Sequence, residues 1–198
     1  THETVRERIA AIRSRGIENV MALRGDVPPE LRDADRSGWD YHYAAELVRE
    51  LRATAPDLCI GGACYPEVHP ESRSQAEGCD FLTTQMFFDN NLLYSFLYKI
   101  REAGITVPVI AGIMPITNCS YLTRAIELSG SFMPRRFVSL VDRFGDDPAA
   151  MKQAGIAYAT DQIIDLYANG ITGVHVYSMN KPDIAAEILG NLSAILGR

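Results

Sequence analysis

The chain has 198 residues, 47% hydrophobic and 22% charged, which is the composition of a globular protein long enough to bury a sizeable core. Its net charge of −6 argues against nucleic acid and anionic membrane surfaces as principal partners. No apolar run approaches the roughly 20 residues of a membrane span, and no signal peptide opens the chain, although it begins at Thr1 rather than at a methionine, so the true start is expected upstream.

Taken in chain order, apolar runs alternate with helical patterns. Strands are predicted over 19–25, 58–65, 80–88, 107–114 and 173–179, each short and rich in Val and Ile or apolar enough for burial on both faces. Val5, Ile9 and Ile12 mark the apolar stripe of an opening helix; Leu93, Phe96, Leu97 and Ile100 mark another. Three helices end alike, in Arg15-Gly16-Ile17, Ala103-Gly104-Ile105 and Asn169-Gly170-Ile171. Each glycine suits a left-handed position after the last helical turn, followed by an apolar residue entering the next strand. Repeated helix–glycine–strand units predict a parallel sheet in one α/β domain over 1–198, with no linker.

One join breaks the pattern. Two parallel strands need a crossover of a dozen or more residues, usually helical, yet residues 66–78 spend half their length on a proline-rich loop and show no helical face. Gly78 stands where a helix-ending glycine belongs. A helical segment is therefore expected to be missing between Gln75 and Ala76. With five strands visible, the chain is either an open sheet or a closed eight-stranded barrel lacking its opening strands; the residue pattern alone leaves both standing.

The four cysteines, Cys59, Cys64, Cys79 and Cys119, form no C-x-x-C pair, and three lie on or beside apolar runs. Reduced buried thiols are expected, which points to the cytoplasm.

Functional groups in parallel α/β folds gather where strands run into helices. The strand ends carry Arg24-Gly25-Asp26, Tyr65-Pro66-Glu67-Val68-His69, Gln85 with Asp89-Asn90, the run 115–120, and Tyr177 to Lys181. Read singly, each has a plain explanation. Arg24 to Asp26 suits a turn with a surface ion pair. Glu67 and His69 suit a pair that stiffens their loop. Asp89, and Thr117 or Asn118, suit helix caps. His175, alternating with Val174 and Val176, suits a packed interior residue. Gln85 resists this: an amide in an apolar strand must be hydrogen-bonded if buried, and it can read a ligand's donor–acceptor edge. His42, His69 and His175 have no H-x-H or H-E-x-x-H spacing that would favour a metal.

Five strand-end motifs in order, residues 22–26 (ALRGD), 65–71 (YPEVHPE), 83–89 (TTQMFFD), 112–118 (GIMPITN) and 175–181 (HVYSMNK), resemble the methylenetetrahydrofolate reductase family over nearly the full chain. The resemblance implies a (β/α)8 barrel of TIM type, with the opening strands and one helix absent from this sequence. It implies FAD, hydride transfer from the reduced flavin to 5,10-methylenetetrahydrofolate to give 5-methyltetrahydrofolate, and a role in one-carbon and methionine metabolism. Arg24, Gly25, Asp26, Tyr43, Tyr65 and His69 match cofactor contacts in the family. Asp26 matches a catalytic position by the flavin pyrimidine, where a carboxylate disfavours negative charge on the ring and favours positive charge on the substrate. Gln85, Tyr177 and Lys181 match substrate contacts. Electrons would come from NADH, NADPH or a ferredoxin-type partner subunit, in a homo- or hetero-oligomer.

The sequence departs from the family in three places. The opening segment with the general-acid glutamate is absent, as is the helix expected after Gln75, which contacts the FAD diphosphate in relatives. Cys119 replaces an aromatic found in some NADH-using members, and Lys181 replaces an arginine found in others. The alternative reading is a truncated or non-catalytic barrel subunit that works with a partner protein.

Overall fold

A computed structural model describes residues 1–25, 27–28, 30, 33–67, 78–120, 122, 126 and 130–197. The described chain forms two compact units, residues 1–64 with 78–83 and residues 65–67 with 84–197.

The first unit contains helix α1 (His2–Ser14), strand β1 (Asn19–Ala22), helix α2 (Ala44–Thr54), strand β2 (Cys59–Cys64) and most of strand β3 (Phe81–Thr84). β1 and β2 run parallel, in register from Asn19 with Cys59 to Ala22 with Gly62, and β3 follows β2 in the sheet order. Ile9, Ala22, Val48, Leu51, Leu58, Ile60 and Leu82 are its buried apolar residues. Arg52 of α2 ties the unit together. Its guanidinium donates to the carbonyls of Gly78 (2.7 Å) and Leu58 (2.8 Å) and pairs with the Asp80 carboxylate. Asp80 also accepts the Ile60 N–H at 2.7 Å while its own N–H donates to the Ile60 carbonyl at 2.8 Å. These bonds, the Ile60 N–H first and Arg52 second, hold the Asp80 carboxyl below its usual pKa.

The second unit carries helix α3 (Asn90–Glu102), strand β4 (Val109–Ile113), helix α4 (Arg135–Phe144), helix α5 (Pro148–Ala168), strand β5 (Val174–Val176) and helix α6 (Pro182–Asn191). β4 and β5 are parallel, in register from Ala111 with Val174 to Ile113 with Val176. Phe87, Leu93, Ala111, Ile113, Ile163, Leu166, Ile184 and Ile188 belong to one buried cluster. Parallel strands alternating with helices make this an α/β fold, as expected.

The helix ends follow local chemistry. Gly16, Gly104 and Gly170 have φ of 70°, 80° and 81°, the left-handed values their positions after α1, α3 and α5 require. Asp89 caps α3 by accepting the Asn91 N–H at 3.0 Å. Asn118, rather than Thr117, accepts the Ser120 N–H at 2.8 Å.

β3 is shorter than the predicted 80–88, and side chains are the reason. Gln85 Oε1 accepts the Met86 N–H at 2.9 Å, and the Ser131 hydroxyl donates to the Met86 carbonyl at 3.0 Å. Gln162 Nε2 donates to the Phe87 carbonyl at 3.2 Å, and the Tyr158 hydroxyl to the Phe88 carbonyl at 2.6 Å. Polar side chains take the backbone groups that a neighbouring strand would otherwise use. His175 corrects its predicted interior position: it is exposed, its ring edge-on to Tyr177 with centroids 4.6 Å apart.

All four cysteines are free; Cys64 and Cys79 are buried, Cys59 and Cys119 half-buried. Burial pushes the Cys64 thiol up to about 12 and raises Cys79 in the same direction. Among the described residues no helix is long and apolar enough to cross a membrane. The gap expected between Gln75 and Ala76 lies outside the described residues.

Candidate functional site

The strand ends of the second unit hold a cleft of about 120 Å³ lined by Met114, Ile116, Thr117, Tyr177, Met179 and Lys181, among others. Two close approaches build it. A Cβ on Gly112 would strike the Thr84 carbonyl oxygen and come within 2.7 Å of the Tyr177 ring, so only glycine lets Tyr177 lie across β4. The Tyr177 hydroxyl then donates to the Thr84 carbonyl at 2.8 Å, while Thr84 Oγ1 accepts the Gly112 N–H at 2.8 Å. On the other side of the Met114–Thr117 loop, a Cβ on Gly155 of α5 would meet the Ile116 carbonyl, which fixes how closely that helix supports the cleft.

The turn beyond Tyr177 is strained. Met179 (φ 50°) and Asn180 (φ 62°) both occupy the left-handed region, and the Lys181 N–H closes the turn on the Ser178 carbonyl at 3.0 Å. Positive φ at both central residues marks the mirror-image turn that favours Asn and Gly. Asn180 suits it; Met179, 65% exposed, does not. Strain of this kind persists where the surroundings dictate the conformation, and here it sets the side chains of a cleft wall.

Glu67, three residues beyond β2, is half-buried. Its Oε2 accepts the Phe132 N–H, and its Oε1 is enclosed without a hydrogen-bond partner. Burial raises its pKa above the ordinary carboxylate value, and the charge of Asp89 adds to this; the Phe132 N–H opposes both. The other carboxyls with a resolved shift, Asp35, Glu46, Asp80, Asp165 and Asp183, move the opposite way.

Of the residues singled out in the sequence, Tyr177 and Lys181 share the cleft. Gln85 lies half-buried just past β3; its oxygen is held by the Met86 N–H, and its amide nitrogen has no partner among the described residues. Tyr65 is half-buried after β2. Arg24 and Gly25 are exposed just past β1, and Tyr43 is 40% exposed at the start of α2. There the Glu46 carboxylate accepts the N–H groups of His42 (2.6 Å) and Tyr43 (2.9 Å). Asp26 and His69 lie outside the described residues. The expected pairing of Glu67 with His69 therefore has no described geometry. Thr84 and Ser131 were not singled out. Thr84 carried the same signal as Gln85, a polar side chain in an apolar run, and Ser131 sits between the turn residue Gly130 and Pro134.

Comparison with known proteins gives a consistent picture. A family model described as methylenetetrahydrofolate reductase matches residues 1–193. Methylenetetrahydrofolate reductase (NADH) 1 of Arabidopsis thaliana is 30% identical over 214 residues, covering 98% of this chain and 36% of the plant protein. The 5,10-methylenetetrahydrofolate reductase of Escherichia coli is 32% identical over 188 residues, covering 89% of this chain and 61% of its own length. The chain thus spans about a third of the plant relative and 61% of the bacterial one. A solved structure, described as an uncharacterized protein from Clostridium thermocellum that binds two copies of 5-methyl-5,6,7,8-tetrahydrofolic acid, shares the fold with a TM-score of 0.52. It is 17% identical and covers 75% of this chain and 57% of its own. A match from the first residue of α1 to beyond the end of α6 leaves one conclusion: the chain belongs to the methylenetetrahydrofolate reductase family.

Proposed function

We propose that the protein reduces 5,10-methylenetetrahydrofolate to 5-methyltetrahydrofolate with FAD, as an oxidoreductase of one-carbon metabolism in the cytoplasm. The observation that carries this reading is the family match over residues 1–193, with all five strand-end motifs in order. The neighbour from Clostridium thermocellum, described as binding 5-methyl-5,6,7,8-tetrahydrofolic acid, the product of this reaction, supports a folate site on this fold. The same kinship supports a closed (β/α)8 barrel as the complete architecture, with residues 1–198 belonging to a single domain. The plant alignment runs over 214 residues against the 198 of this chain, so it contains positions with no counterpart here, as a segment missing after Gln75 requires.

FAD fits the residues that the motifs assign to it. Gly25 has φ of 77° and open space where a Cβ would stand, which lets a flat ring approach the backbone closely. Tyr43 offers an exposed aromatic face, with its own N–H and that of His42 held by the Glu46 carboxylate. Arg24, Gly25, Asp26, Tyr43, Tyr65 and His69 would hold the cofactor, which when bound supplies the hydride. Asp26 would act electrostatically, favouring positive charge on the substrate. Gln85, Tyr177 and Lys181 would bind the folate: Gln85 with its amide nitrogen, Tyr177 with its ring, Lys181 with its charge. NADH suits the names of the plant relatives, with NADPH or a ferredoxin-type partner subunit as the other donors.

The test is a visible absorption spectrum of the purified protein, repeated without oxygen after adding 5-methyltetrahydrofolate. A flavin spectrum that bleaches is the expected result. A colourless protein that releases no flavin on denaturation and takes none up would overturn the proposal.

A further inference from the structure

The hydrogen bonds around Thr84 depart from a parallel ladder in one place. In such a ladder each backbone N–H donates to a backbone carbonyl of the adjacent strand. β4 obeys this towards β5, where the Ala111 N–H donates to the Gly173 carbonyl at 2.9 Å. On the β3 side the next N–H, that of Gly112, donates instead to a side chain, Thr84 Oγ1, at 2.8 Å. The Thr84 carbonyl is left over, and it accepts the Tyr177 hydroxyl at 2.8 Å.

Thr84 is fully buried, so water cannot replace either partner. Tyr177 is fixed at both ends. Its N–H donates to the Ile113 carbonyl at 2.9 Å, and its hydroxyl ends on Thr84. Between these anchors the ring lies over Gly112 and meets His175 edge-on, with centroids 4.6 Å apart. A hydroxyl whose proton is committed to a buried carbonyl has no donor left for a ligand, so Tyr177 offers the cleft its ring.

We propose that Thr84 is a positioning residue of the cleft: its hydroxyl takes the Gly112 N–H out of the ladder, which frees the Thr84 carbonyl to hold Tyr177 across β4. This deepens the folate reading above, in which Tyr177 binds the substrate, and rests on it. Thr84 acts through Tyr177 and is not itself a cleft residue. Without the hydroxyl, the Gly112 N–H draws the Thr84 carbonyl back into the ladder and away from Tyr177.

The experiment compares wild type with Thr84→Val, which keeps the shape and removes the hydroxyl, and with Thr84→Ser, which keeps the hydroxyl. Nitration of Tyr177 by tetranitromethane, followed by peptide mass mapping, reports the freedom of the ring with no folate present. It should be about threefold or more faster in Thr84→Val and within about twofold of wild type in Thr84→Ser. Binding of 5-methyltetrahydrofolate is then measured by calorimetry as a double-mutant cycle with Tyr177→Phe. Thr84→Val should weaken binding about tenfold in wild type, but less than about twofold when added to Tyr177→Phe. Equal weakening in both backgrounds would mean general damage and overturns the proposal, as does unchanged nitration in Thr84→Val. Should Thr84→Val not fold, Thr84→Ser still decides: nitration accelerated about threefold or more in a protein that keeps the hydroxyl overturns the proposal. A wild type that binds no 5-methyltetrahydrofolate defeats the folate reading, while the nitration rates separately decide whether Thr84 holds Tyr177.

Discussion

The Glu67 carboxylate and the Gln85 amide, eighteen positions apart in sequence, are anchored by consecutive halves of one segment, Phe132 holding the first and Ser131 the backbone beside the second. The second carboxylate oxygen of Glu67, Oε1, is enclosed without a hydrogen-bond partner. A structural glutamate would normally find a cation or several N–H groups, as Glu46 does at α2.

The pH dependence of stability follows from the sign of the Glu67 shift. Its folded pKa lies above the unfolded value, so its contribution is fully present below the ordinary carboxylate pKa and is lost as pH rises through the raised value. Glu67→Gln should therefore denature at higher urea than wild type at alkaline pH, with the difference closing in acid. A constant difference across pH would mean that folding leaves the Glu67 pKa unshifted.

Asp80 carries the opposite sign. Its pKa is lowered by the Ile60 N–H and by Arg52, so its contribution is present above the ordinary carboxylate value and lost as pH falls through the lowered one. Asp80→Asn should flatten the acid limb of a stability–pH curve. Arg52→Met removes the bonds to Gly78, Leu58 and Asp80 together and should cost about 2–3 kcal/mol in urea unfolding.

The contact of Tyr177 with Thr84 sets one cleft wall. Tyr177→Phe leaves a carbonyl of the fully buried Thr84 without its donor and should cost about 1–2 kcal/mol. Gly112→Ala forces the Tyr177 ring away and should cost about 1–3 kcal/mol. Under the proposed function, both variants should raise the Michaelis constant for the folate more than they lower the turnover number, because Tyr177 and its cleft are assigned there to substrate binding.

Met179 tests whether the turn is strained. Met179→Gly should raise stability by about 0.5–1 kcal/mol, because glycine adopts φ of 50° without steric penalty, whereas Met179→Val should lower it by 1 kcal/mol or about that. Thermal unfolding of the three proteins decides it. Equal stability of all three would mean that the turn relaxes in solution.

Much of the fold was legible beforehand. The five strands, the glycine ends of α1, α3 and α5 and the Asp89 cap all rest on interactions within a few residues, which periodicity and residue type report directly. The early end of β3 was not legible. It depends on Ser131, Tyr158 and Gln162, which lie 45 to 75 positions from the carbonyls they occupy. The exposure of His175 was hidden for a similar reason: alternation predicts which residues share a face, while only packing decides whether that face is covered.

By itself the sequence determined the order of strands and helices, their caps and the family, because each is written in local spacing or in motifs that survive as strings. Tertiary structure alone decided that Gly112 makes room for Tyr177, that Met179 is held left-handed, and that Glu67 meets a backbone N–H on one oxygen and nothing on the other. Burial and hydrogen-bond supply at a carboxyl come from residues brought together only by folding, so its protonation is a property of the packed molecule.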